Sequence, residues 1–257
     1  MTTRKPIHRV RDVVLVALAG LAAGGCSTPG PLHLYSTAPA GQEVHDIARD
    51  SSDRARSVST FLASSEEITG FAYDPFTDHF FLRLSPGDHI RVVDRPAMKI
   101  KREFNLEGAA GTRGGDLAVR PRDGHLFLVD AGTPELVETT RLGKFVRRIR
   151  LQARTSAAAA VAFDATTNQL VVLDPDGRTF ERYDSSGVRI GSPRRLERTV
   201  RPSLACDPES GQLYAPLEGP APIVGIFDAE GRIVSTLRIE AGDPLIDVGP
   251  HSFLRMF

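Results

Sequence analysis

The feature that most constrains this chain is a five-residue motif that returns four times at nearly constant spacing. Phe71-Ala72-Tyr73-Asp74-Pro75, Leu117-Ala118-Val119-Arg120-Pro121, Val161-Ala162-Phe163-Asp164 and Leu204-Ala205-Cys206-Asp207-Pro208 recur at intervals of 46, 44 and 43 residues. The second copy shows what each motif introduces. From Asp116 to Arg150 the chain reads as an alternating strand, a Pro/Asp/Gly turn and an apolar strand, followed by two more strands around Leu142-Gly143-Lys144. Each unit is therefore a four-stranded meander.

A period near 40 with four strands per unit is the signature of a β-propeller. Four repeats are complete, and the two ends supply a fifth. Leu32 to Ile47 reads strand, turn, strand, like Ile226 to Ile239, the third and fourth strands of a later repeat. Leu245 to Phe257 resembles the first two strands of a repeat. The expected fold is all-β, a propeller of five four-stranded blades over residues 32–257, with the closing blade built from both termini so that no sheet edge stays open. Residues 48–67, rich in Ser, Asp and Arg around an apolar patch at Val58 to Leu62, read as a long linker with a short helix or extra strand, or as the fourth strand of the closing blade.

Strand alternation divides the first strands into two columns. Phe71, Leu117, Val161, Leu204 and Ile246, with Tyr73, Val119, Phe163, Cys206 and Val248, are large and should pack between blades. Ala72, Ala118, Ala162, Ala205 and Asp247 alternate with them, preceded by Gly70, Asp116, Ala160 and Ser203; these small residues should point at the crowded axis. Cys206 stands in the large column and reads as a buried core thiol.

The motif resembles the NHL-type and YVTN-like propeller repeats, which run apolar-Ala-apolar-Asp-Pro, then Gly, then an apolar strand closed by Asp. Leu117 to Pro121, followed by Gly124 and then His125 to Asp130, carries the match. It departs from that pattern where Arg120 replaces the turn aspartate, where Arg83 and Ala215 stand in the column of Asp130 and Asp174, and in blade number, since six is usual there. The resemblance covers about residues 31–257 and implies a fold, not a chemistry.

The first 25 residues stand apart. Arg4, Lys5, Arg9 and Arg11 precede the apolar run Val13 to Ala23, which is too short to span a bilayer and reads as a secretory signal. The run ends in Leu21-Ala22-Ala23-Gly24-Gly25-Cys26, which resembles the lipobox of bacterial lipoproteins. The resemblance implies acylation at Cys26, a tether over residues 26–31, and a lipid anchor in the cell envelope; serine after the cysteine implies the outer membrane. An ordinary signal peptide is the alternative reading. Loss of residues 1–25 removes four basic groups and Asp12, so the formal charge falls from 0 to −3, which disfavours nucleic acid as a partner.

Among candidate chemical groups, Asp116 and Asp247 are the two carboxylates that the register brings to the channel. Paired carboxylates can do acid–base work or hold a cation, so a hydrolase or lactonase is one functional reading. The residues around them are Gly, Ala and Ser, and supply neither a third carboxylate nor a general acid–base set. His79 and His125 share a column at the start of second strands, with Gln169, Gln212 and Ser252; blades hold such positions far apart, and no metal site is expected. His33, His45, His89 and His251 lack ligand spacing and read as surface residues. Arg113, Arg154, Arg198 and Arg201 fall in loops entering first strands and would ring one channel mouth, suited to an anionic ligand or an acidic envelope partner. No phosphate loop, zinc spacing or Ser/His/Asp order is present, so the sequence calls for no cofactor. The leading reading is a membrane-anchored, non-enzymatic binding or scaffold module.

Overall fold

The computed structural model describes residues 32–37, 44–48, 61–106, 115–239 and 245–250. Cys26 with the signal segment, Arg113, Asp243 and His251 lie outside the described residues. The strands are β1 (Leu32–Thr37) and β2 (Val44–Ala48), then blade one with β3 (Glu67–Asp74), β4 (His79–Ser85), β5 (His89–Asp94) and β6 (Lys99–Asn105). Blade two holds β7 (Leu117–Arg120), β8 (His125–Val129), β9 (Glu135–Thr139) and β10 (Phe145–Arg150). Blade three holds β11 (Ala160–Asp164), β12 (Gln169–Leu173), β13 (Thr179–Tyr183) and β14 (Arg189–Arg195). Blade four holds β15 (Ala205–Cys206), β16 (Leu213–Pro216), β17 (Ile223–Phe227) and β18 (Ile233–Arg238), and β19 (Ile246–Pro250) follows. Each of these four blades is an antiparallel meander, and the first strands β19, β3, β7, β11 and β15 touch in a closed cycle. The protein is a five-bladed β-propeller.

The closing blade joins the two ends of the chain in the order β19-β1-β2. Leu32 pairs with Pro250 and Ser36 with Ile246. Pairing of residues 32–47 with the C-terminal strand is as expected, but the assignment within the blade moves by one. Because β1 lies directly beside β19, Leu32 to Ile47 supply the second and third strands, not the third and fourth. The strand-like pattern of an isolated hairpin is the same at either place in a meander, so sequence could not separate them.

Local chemistry explains the hairpins. In three blades the motif aspartate folds back on its own turn: Asp74 accepts from Phe76 N–H at 3.0 Å, Asp164 from Thr166 N–H at 2.9 Å and Asp207 from Glu209 N–H at 2.9 Å. Where Arg120 replaces it, Asp123 takes over, accepting from His125 N–H and from the Arg120 guanidinium. The turns before the fourth strands use the same device at Asp184 and Asp228. All of these hairpins lie at one end of the barrel of blades, the hairpin face. The second-to-third-strand loops and the connections between blades lie at the other, the loop face.

Five apolar clusters fill the five spaces between blades. Leu117 and Val119 pack toward blade one, whereas Ala118 packs toward blade three. The small column therefore does not point simply at the axis. Each blade is a radial sheet, so both faces of its first strand meet a neighbour, and the alternating small residues admit that neighbour's larger column. Cys206 lies buried between blades three and four, as its column predicted, and burial raises its thiol pKa.

Candidate functional site

Both carboxylates singled out in the sequence reach the axis. Asp116, just before β7, is buried, and its Oδ2 accepts from Val161 N–H and Leu204 N–H, each at 3.3 Å. These donors belong to blades three and four. Asp247, on β19, accepts from Tyr73 N–H of blade one at 2.5 Å through Oδ2 and from Val248 N–H at 2.7 Å through Oδ1. Ser203 Oγ accepts from Ile246 N–H at 2.9 Å, joining blade four to the closing blade. Inner strands of a propeller have no ladder partner on their axial side, so their N–H groups need acceptors from elsewhere. These three polar side chains supply them.

The same burial perturbs both acids. It holds the Asp116 carboxyl well above the usual carboxylate range, with the Asp247 charge acting in the same direction against the N–H donors. The Asp247 carboxyl is pushed up to about 7, again by burial, with Asp74 adding to it. Asp116 Oδ1 has no hydrogen-bond partner. The cavity beside Asp247, lined also by Pro75, Pro121 and Pro208, measures about 20 Å³, room for about one water.

On the loop face a groove of about 600 Å³ opens between blades three and four. Its central wall is Thr199 to Pro202, tied to both blades: Val200 N–H donates to Gly177 O at 2.8 Å, Arg201 N–H to Pro216 O at 2.8 Å, and Glu218 N–H to Thr199 O at 2.9 Å. Gly177 is required here, since a Cβ would stand 2.3 Å from Val200 O and its φ is +63°. Arg201 contacts Gly219 O at 3.1 Å and lines the groove with Asp176 and Glu218, while Arg198, one residue before Thr199, is exposed.

Arg154 behaves differently from the exposed loop cation that its position suggested. Its side chain is 1% exposed. It forms ion pairs with Asp174 and with Glu181 at 2.8 Å, and donates to Ser156 O, Ala157 O and Leu173 O. Arg83 is likewise fully buried, held by both Asp88 oxygens and reaching the Gly115 and Val129 carbonyls of blade two. It was visible in the sequence only as a break in the Asp130 column, and is in fact an inter-blade clamp.

The histidines form no common site. His79 meets Lys101 at 3.0 Å, and burial with that cation pushes its pKa down to about 4. His125 pairs with Glu138 at 2.7 Å within blade two. His33, next to Asp46, and His89, near Glu66 and Glu103, are buried and not surface residues as expected, because each packs against a carboxylate of an adjoining strand or loop. Among the described residues no three His, Cys, Asp or Glu groups converge as a metal site.

No protein-family model matches the chain, and no curated protein matches it. Solved structures do. A chain of the nidogen–laminin complex superposes with a TM-score of 0.58 at 13% identity, over 84% of this chain and 98% of that one. A protein of unknown function from Bacteroides caccae gives 0.57 at 13% identity, over 86% and 99%. Streptogramin B lyase gives 0.51 at 12% identity, over 84% and 70%. The set contains a chain from a binding complex and an enzyme on one architecture, so the likeness identifies the fold of this chain, a β-propeller, and leaves its activity to its own residues.

Proposed function

We propose that this protein is a lipid-anchored propeller of the bacterial envelope that works as a binding module, with the loop-face groove between blades three and four as its docking site. The observation that carries the reading is the use of the axial carboxylates. Two of the four oxygens of Asp116 and Asp247 accept backbone N–H groups from other blades, a third accepts from Val248 next in the chain, and the cavity beside Asp247 has room for about one water. Their role is to close the ring. The groove, by contrast, has volume for a peptide loop or small ligand, walls fixed by backbone hydrogen bonds, and charges of both signs at Arg201, Asp176 and Glu218.

The anchor belongs to the same proposal and rests on Leu21 to Cys26 with the tether that follows. Replacement of Cys26 by Ala should abolish incorporation of a palmitate analogue; persistence of labelling would remove the anchor. The competing hydrolase reading predicts that calcium, magnesium or zinc gives a saturable rise in melting temperature that Asp116→Asn removes. The binding-module reading predicts no such Asp116-dependent rise.

A further inference from the structure

Every fourth strand exposes an apolar side chain at its second residue. Ile100, Val146, Ile190 and Val234 are 49%, 41%, 38% and 50% exposed, with Ile100 one register step from the other three, opposite Val93. Each lies at the hairpin end of its strand. The other exposed large apolar side chains among the described residues are Phe145, which opens β10, Leu142 and Val188 beside the turns before fourth strands, and Phe76 in the β3–β4 turn. All of them therefore gather on the hairpin face and its rim, and none on the loop face.

Cations bracket these residues on blades one and two. Lys99 and Lys101 flank Ile100, Arg141 precedes Leu142, and Lys144 and Arg147 flank Phe145-Val146, with Arg147 paired to Glu138. On blade three Arg189 is paired with Glu181 and the turn holds Asp184, and on blade four the neighbours are Asp228, Glu230 and Arg232, so the basic sector covers blades one and two.

The chain enters the propeller at this same face. Tyr73 Oη donates to Pro250 O at 3.3 Å, and Gly249 packs against Tyr73 and Pro75 beside the β3–β4 turn. Pro250 thus sits at the hairpin end of β19, and Leu32, its partner, begins β1 there. Only five residues separate Leu32 from Cys26, a reach of at most about 20 Å.

From these observations we infer that the hairpin face lies against an anionic lipid bilayer, with blades one and two inward and the loop-face groove turned away from it. This rests on the anchor reading for its orientation. The apolar residues of blades one and two stand beside cations at the hairpin rim, while Phe76 and Val234 have the acidic neighbours Asp74, Asp78, Asp228 and Glu230. Apolar side chains with flanking Lys and Arg suit the headgroup boundary, where cations near an anionic surface add electrostatic attraction.

The test uses the processed full chain in vesicles of phosphatidylcholine with or without phosphatidylglycerol, containing a quencher-bearing lipid. An environment-sensitive fluorophore is placed at Leu142→Cys on the hairpin face or at Glu218→Cys on the loop face; Cys206 is buried. Quenching should be at least about twofold greater at 142 than at 218, should need phosphatidylglycerol, and should weaken at about 1 M salt, where the Debye length is about 3 Å. Lys99→Glu with Lys144→Glu should reduce it, with the melting temperature unchanged. Equal quenching at the two positions, or none at 142, overturns the inference. Palmitate incorporation at Cys26 is read separately: its failure removes the anchor, while quenching confined to 142 would still establish the docked face.

Discussion

Asp247 accepts a 2.5 Å hydrogen bond from the backbone N–H of Tyr73, 174 residues away, and so fastens the last strand of the chain to the first strand of blade one. The bond joins the two sides of the closure at the axis, and it is made by a carboxyl whose pKa lies near neutrality.

That placement sets a pH dependence. The Asp247 pKa is raised in the folded state to about 7, from an ordinary 3.8. Between those values the folded chain holds a proton that the unfolded chain has released, so this group's stabilisation is complete below about pH 4 and is lost as pH rises through about 7. Asp116 acts in the same direction, whereas His79, lowered to about 4, acts oppositely between pH 4 and 6.5. The difference between wild type and Asp247→Asn isolates the group. Asparagine keeps an acceptor for Tyr73 N–H and cannot titrate. Denaturant melts across pH 4 to 8 should show wild type losing stability relative to the variant toward pH 7; parallel curves would contradict the assignment.

Loop arginines that look alike in sequence should respond oppositely. Arg154→Ala strands Glu181 and Asp174 without their buried partner and should cost about 3–5 kcal/mol. Arg198→Glu should leave the thermal midpoint within a few degrees of wild type, because a charge open to solvent contributes little to stability. A small effect at Arg154 would mean that its ion pairs are not needed for the fold.

Ring closure predicts a third outcome. Asp116→Ala removes the acceptor for Val161 N–H and Leu204 N–H and should destabilise by about 1–3 kcal/mol for each buried donor left unpaired. Asp116→Asn should be much milder, since its carbonyl can replace Oδ2. Equal losses in the two variants would argue against the stapling role.

How much of this was readable in the chain depends on which physics repeated. The motif recurs because each hairpin needs a side-chain acceptor for its turn, so the four complete blades follow from spacing, while the closing blade had to be read from half-repeats at the two ends and came out one strand displaced. Phe71 to Val248 announce the inter-blade packing for the same reason. Arg83 and Arg154 were not legible as buried clamps. Each makes its contacts with carbonyls and carboxylates distant in sequence, and an arginine in a loop or at a strand end looks the same whether it meets solvent or a neighbouring blade. Asp116 and Asp247 were found because they break an alanine and glycine pattern, but their partners are backbone N–H groups, which leave no trace in composition. The exposed second residues of the fourth strands, Ile100, Val146, Ile190 and Val234, were available as a repeat, yet apolar residues on a strand read first as core.

The central claim, a binding module that docks its partner in the loop-face groove, is tested most directly by crosslinking in the cell. A photo-reactive residue at Arg198, beside the groove, is compared with one at Leu142 on the hairpin face. The account predicts a discrete protein adduct from position 198 that is lost when Arg201 is changed to Glu, and lipid in place of that protein adduct from position 142. Absence of any protein adduct at 198, or the same adduct at 142 unaffected by Arg201→Glu, would contradict it.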